Sequence, residues 1–102
     1  MTVNIQTKNL TLTDAISDYV AKQFGFISRL TRRFESLGAV SMDIELARTT
    51  RHHRKGEVFY AEVNLHLSGR LIRAEDSAED LYRAINMVRN TLKRELARLL
   101  HS

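Results

Sequence analysis

Residues 59–75, FYAEVNLHLSGRLIRAE, hold two alternating segments around a Ser-Gly pair. Phe59, Ala61, Val63, Leu65 and Leu67 alternate with Tyr60, Glu62, Asn64 and His66, which is the two-residue period of a half-buried strand. Ser68 and Gly69 predict a tight turn, and beyond it Ile72 and Ala74 face inward in RLIRAE, residues 70–75. Upstream, after a break at Ser36 to Gly38, Val40, Met42, Ile44 and Leu46 alternate with Ser41, Asp43, Glu45 and Ala47. These three segments predict an antiparallel meander. The connection RTTRHHRKG, residues 48–56, carries four cations and two histidines. It reads either as a solvated hairpin tip or as a phosphate-binding prong.

Working outward, TVNIQT at 2–7 sets Val3 and Ile5 against Asn4 and Gln6, a first strand. Thr13 before Asp14 is a helix N-cap with an acid in the first turn. Ile16, Val20, Phe24, Ile27 and Leu30 then follow at helical spacing, predicting a helix from 14 to about 33 that passes through Gly25. Ser77 with Asp80 three residues on resembles a capping box. It opens a second helix of about 35 Å, with Leu81, Ile85, Val88, Leu92, Leu96 and Leu99 as its apolar stripe. The expected fold is α+β, in the order β-α-β-β-β-α. Both helices pack on one face of a four-stranded mixed sheet, as in double-stranded-RNA-binding-like folds, because each element has one apolar face to bury.

The chain has 102 residues and no linker, repeat or low-complexity tract, so one domain spanning 1–102 is expected. Cysteine is absent, which excludes disulfides, thiolate metal sites and cysteine nucleophiles. The N-terminal residues lack a signal-peptide pattern, and no apolar run approaches the roughly 20 residues of a membrane span. A cytoplasmic protein without membrane contact is expected. A net charge of +4 favours a polyanionic partner if the cations cluster.

On the first helix Lys22, Arg29 and Arg33 share a sector beside the apolar stripe. On the second, Arg83, Arg94 and Arg98 flank Met87, with Arg89 and Lys93 on the opposite flank. Such rows often only cover apolar edges with their aliphatic stems. Asp43, Glu45 and Glu62 point outward from the open sheet face. Arg73 and Arg48 are the expected cross-strand partners there, which is a better account than acid/base catalysis or a metal site. The adjacent His52 and His53 point opposite ways in an extended segment and do not share an ion readily. With no H-E-x-x-H pair, P-loop or Ser/His/Asp set, an enzyme, a cofactor and a small-molecule substrate are not expected.

KGEVFYAEV, from Lys55, weakly resembles the first sheet motif of an RNA recognition motif, but Glu57 and Val58 occupy positions where that motif has an aromatic and a small residue. A double-stranded-RNA-binding domain matches the element order after the first strand, yet its second helix opens with basic residues, whereas this one opens with SAED. A fuller likeness covers essentially all 102 residues. LIRAEDSAEDLYRAINMVRNTLKREL at 71–96 and LTDAISDYVAKQF at 12–24 resemble the ribosome hibernation promoting factor family, also called ribosome-associated translation inhibitors. The most specific pieces are D-L-Y-x-A-I at Asp80 to Ile85 and R-A-E-D at Arg73 to Asp76.

That resemblance implies a non-enzymatic factor that binds the small ribosomal subunit and its rRNA in the decoding channel. It implies steric blocking of mRNA and tRNA, and so inhibition of translation under stress. Lys22, Arg29, Arg94 and Arg98 match positions commonly basic in the family. Arg33, Arg83, Arg89 and Lys93 extend these rows, and Arg51, Arg54 and Lys55 in the basic bend supply a second contact. Gln23, Phe26 and Thr91 stand where many relatives carry Lys, and Asn86 where Asp is common. Nothing resembling the family's dimerising C-terminal domain follows, so the short, tail-less form is expected, monomeric when free. Two other readings stay open: a structured-RNA-binding module unconnected with ribosomes, and a protein-interaction domain using the acidic sheet face.

Overall fold

The computed structural model describes residues 1–49 and 58–101. Arg51, Arg54, Lys55, His52 and His53 lie outside the described residues, so the two readings of the basic bend stand as expectations. The order is β1 (Thr2–Lys8), α1 (Asp14–Leu30), a 3-10 helix (Arg32–Leu37), β2 (Val40–Arg48), β3 (Phe59–Leu67), β4 (Arg70–Ala78) and α2 (Leu81–Leu100). The strands lie in sequence order, β1 parallel to β2 and the other neighbours antiparallel. The crossover through α1 allows the parallel pair. A two-residue loop closes the β3–β4 hairpin: φ is 48° at Ser68 and 78° at Gly69, positive at both central residues as in the type I′ turn, whose twist matches that of the flanking strands.

The register lines up Ile5, Ile44, Val63 and Ala74 across the inner face. The next row is Gln6, Glu45, Glu62 and Glu75 on the open face. Val40, Met42, Ile44, Leu46, Ala61, Val63, Leu65 and Leu67 are all buried. They meet Val20, Phe24 and Ile27 from α1, and Leu81, Ile85, Val88, Leu92 and Leu96 from α2. Ala84 joins them as a small residue that lets α2 approach closely.

Three expectations need correction. Helix α1 stops at Leu30, not near 33, because the Thr31 hydroxyl donates back to the Ile27 carbonyl and its backbone leaves the helix at φ −101° and ψ 2°. Leu30 therefore lies past the core and is 39% exposed. The cap of α2 is Asp80, whose carboxylate accepts from the Tyr82 N–H at 3.0 Å. Ser77 belongs to β4, which runs on to pair Ala78 with Phe59. The later start shortens α2 to 20 residues, about 30 Å.

Candidate nucleic-acid interface

The helices are joined by a polar and aromatic seam. Tyr19 on α1 donates its hydroxyl to Asn86 on α2 at 2.5 Å, and its ring meets Tyr82 edge to face at 4.6 Å. The Arg89 guanidinium stands 5.3 Å from the centre of the Phe26 ring. Helical spacing brings these groups together: Tyr19 and Phe26 are seven apart on α1, and Tyr82, Asn86 and Arg89 follow at intervals of four and three on α2. Such cation–π contacts contribute about 0.5–1 kcal/mol at exposed sites. Arg89 is thus half-buried and held against α1 rather than standing free.

Lys22, Arg29, Arg33, Arg83, Lys93, Arg94 and Arg98 are exposed. Arg94 donates to the Thr91 hydroxyl at 3.4 Å, and Arg98 to the Glu95 carboxylate at 3.2 Å. With 72% of the Arg98 side chain exposed, that ion pair contributes little and leaves its guanidinium able to reach a phosphate. Thr91, Phe26 and Asn86, all read as departures from the family pattern, here support a neighbouring side chain.

The cations do not form one patch. Arg98 faces β4, sharing a recess with Arg70, Leu71 and Ile72, while Arg89 faces α1. Arg33 stands on the 3-10 helix instead of α1, so Lys22, Arg29 and Arg33 are not one continuous helical row. The break brings Arg29 and Arg33 together with Arg32 and His101 at the common end of both helices. Sequence reading passed over Arg32 and His101; the signal for them was Thr31 as a helix stop, which sets the ends of both helices at one level.

Residues 3–101 match the family described as "Sigma 54 modulation protein / S30EA ribosomal protein". The chain belongs to that family. Among S30EA relatives, the ribosome hibernation promotion factor of Picosynechococcus sp. is 32% identical over 101 residues, covering 94% of this chain and 47% of the relative. The ribosome hibernation promoting factor of Azotobacter vinelandii is 33% identical over 96 residues, covering 94% of this chain and 79% of the relative. This chain thus spans about half the length of the first and about four-fifths of the second. The Protein Y N-terminal domain of Thermus thermophilus superposes with a TM-score of 0.76 at 27% identity, covering 97% of this chain and 99% of that one.

In this S30EA chain the open sheet face is acidic. Glu62 sits directly between Glu45 and Glu75 in the register, a repulsive arrangement that needs compensation. Arg73 supplies it, donating to Glu62 and to Glu75 at 2.8 Å each. Asn64 donates to Glu62 at 2.8 Å, and Tyr60 reaches Glu62 at 2.6 Å and Glu75 at 2.5 Å. Arg48 does not join this network as expected: its guanidinium lies over the Phe59 ring at 5.8 Å. Asp43 is met by Asn4 at 3.1 Å and by His66 at 3.4 Å. Among the described residues no group of three His, Asp or Glu is placed to hold a metal, and no helix is long and apolar enough to cross a membrane.

The phenol of Tyr60 is pushed above its ordinary range, first by burial and then by its bonds to Glu62 and Glu75. The Tyr60 hydroxyl and Arg73 hold Glu75 below the usual carboxylate range. A raised tyrosine favours folding while it keeps its proton. That contribution is complete below about pH 10 and fades as pH rises beyond it. Glu75 works in the other direction, favouring folding above the carboxylate range and losing that effect as pH falls through it. Urea unfolding at pH 7 and at about pH 10.5 checks the first point: Tyr60→Phe loses less stability between the two than the parent chain. An equal loss in both proteins would remove Tyr60 as the group responsible.

Proposed function

We propose that this chain binds the small ribosomal subunit in the decoding channel and sterically blocks mRNA and tRNA, inhibiting translation under stress. Membership of a ribosomal protein family supports a ribosomal partner. The observation that carries the finer reading is the division of charge: exposed Lys and Arg side chains line α1 and α2, while carboxylates occupy the opposite sheet face. A polyanion meets such a molecule on its helix side, through phosphates rather than base edges. Lys22, Arg29, Arg33, Arg83, Lys93, Arg94 and Arg98 contact rRNA in this reading, and Arg89 holds the helix seam beneath them. Arg51, Arg54 and Lys55 add a second contact. Residues 1–102 act as one binding unit, a cytoplasmic monomer when free, and the mechanism is occupancy without catalysis.

Co-sedimentation with separated small and large ribosomal subunits across a salt series tests this. The expected result is pelleting with the small subunit alone, lost steeply as salt rises. Pelleting with neither subunit at low salt sinks the reading. Equal affinity for isolated structured RNA and for the assembled subunit would replace it with a general RNA-binding role.

A further inference from the structure

Arg29, Leu30, Arg32, Arg33, Leu100 and His101 line an open recess of about 580 Å³ where α1 and α2 both end. That volume falls within the roughly 300–1,000 Å³ of small-ligand sites. Among the described residues no carboxylate lines it. Each helix end carries about half a negative charge, so the two termini offset roughly one of the guanidinium charges gathered there. The remaining excess repels itself and is stabilised by an anion.

The arginines are presented on a fixed turn. Thr31 is fully buried, and its hydroxyl donates to the Ile27 carbonyl at 2.7 Å. The Phe34 N–H donates to the Thr31 carbonyl at 2.9 Å, and the Ser36 hydroxyl to the Arg33 carbonyl at 2.9 Å. Glu35, in the same turn, accepts from the Met1 ammonium at 2.6 Å. Arg33 lies 5.2 Å from the Phe34 ring centre, which further restricts its side chain. Across the recess, the His101 N–H donates to the Ala97 carbonyl at 3.1 Å, holding the end of α2 in place. Leu30 and Leu100 supply an apolar surface between these cations.

We infer that this recess binds a nucleotide, its phosphates held by Arg29, Arg32 and Arg33 and its base resting on Leu30 and Leu100. Guanidiniums suit phosphate oxygens because their donors form a planar fork. A bare phosphate leaves the leucines uncovered, whereas a base has a flat apolar face to lay on them. Two sources share this chemistry: a free nucleoside polyphosphate, and one unstacked nucleotide of an RNA chain. The RNA form rests on the proposed function, while the free form is independent of it. Arg32 and His101 have no place in the ribosomal contact set above, so the two ideas separate experimentally.

The test is amide chemical-shift titration of the ¹⁵N-labelled full chain with guanosine triphosphate, a uridine hexanucleotide and inorganic pyrophosphate. Saturating shifts confined to residues 29–33 and 99–101 are expected, with Kd raised about tenfold or more by Arg32→Glu with His101→Glu. Lys22→Glu with Arg94→Glu leaves that Kd unchanged but weakens small-subunit binding. Guanosine triphosphate binding tighter than pyrophosphate supports the free source; response to the hexanucleotide alone supports the RNA source. No saturation by either, binding no tighter than pyrophosphate, or shifts spread along both helices and indifferent to the recess variant overturns the inference. Because Arg32 is exposed, the milder Arg32→Gln serves as a folding-neutral check on the same Kd.

Discussion

Leu92→Ala is expected to lower the unfolding free energy by about 3 kcal/mol. Leu92 is 0% exposed near the middle of α2, in one buried cluster with Val88, Leu96, Val63 and Leu65, each also 0% exposed. Truncation removes the transfer contribution of the lost carbons and adds a cavity, because surrounding side chains fixed by the sheet collapse only in part. In a domain of this size that corresponds to a fall in Tm of about 15 °C. Urea unfolding measures it, with Lys93→Ala as the exposed neighbour expected to change stability by less than about 0.5 kcal/mol. A loss below about 1 kcal/mol for Leu92→Ala would mean that α2 does not sit on the sheet as described. The helix that carries Arg94 and Arg98 depends on this burial, so the variant should also lose ribosomal affinity near its lowered Tm.

Reversing Lys22, Arg29, Arg94 and Arg98 to glutamate together should weaken small-subunit binding by about a hundredfold or more at roughly 100 mM salt. Each lost phosphate contact also removes about one unit from the slope of log affinity against log salt, so the slope should flatten by about four. The flattening is the more telling readout, since misfolding would abolish binding without changing the salt dependence of what remains. Reversal of Asp43 and Glu45 to lysine on the open face is the counter-experiment, with affinity expected to hold or rise. Undiminished binding after the fourfold helix reversal would leave the acidic sheet as the surface that matters.

Much of this architecture was legible before any coordinates. Strict alternation across 40–47 and 59–67 reported burial of one face only, and the structure buries that face from Val40 to Leu46 and from Ala61 to Leu67, with Phe59 half-buried. Thr13 caps α1 as expected, accepting from the Ile16 N–H at 3.2 Å. The misread points share a cause. Ser77 and Asp80 are both good caps, and the choice between them was made by a strand partner, Phe59, lying 19 residues upstream of Ala78. Thr31 is acceptable within a helix by propensity, and its back-bonded hydroxyl follows from burial that no local pattern announces. The seam was invisible for the same reason, because Tyr19 and Asn86 are 67 residues apart. The two cationic flanks of α2 were legible, with Arg98 on one and Arg89 on the other, but not the aromatic ring that Arg89 turns to nor the move of Arg33 onto the 3-10 helix.

The carboxylates of the sheet and the cations of the helices lie on opposite sides of one thin body, 20 Å across its shortest axis. Such a body carries a permanent dipole moment, and near a phosphate-rich surface it feels a torque before it feels contact. It arrives already rotated, helices leading, so few encounters are spent on unproductive orientations. Salt should therefore act first on the association rate, with residence time set by the contacts made after docking. Under the proposed function, that separation lets arrival at the subunit and departure from it be tuned independently.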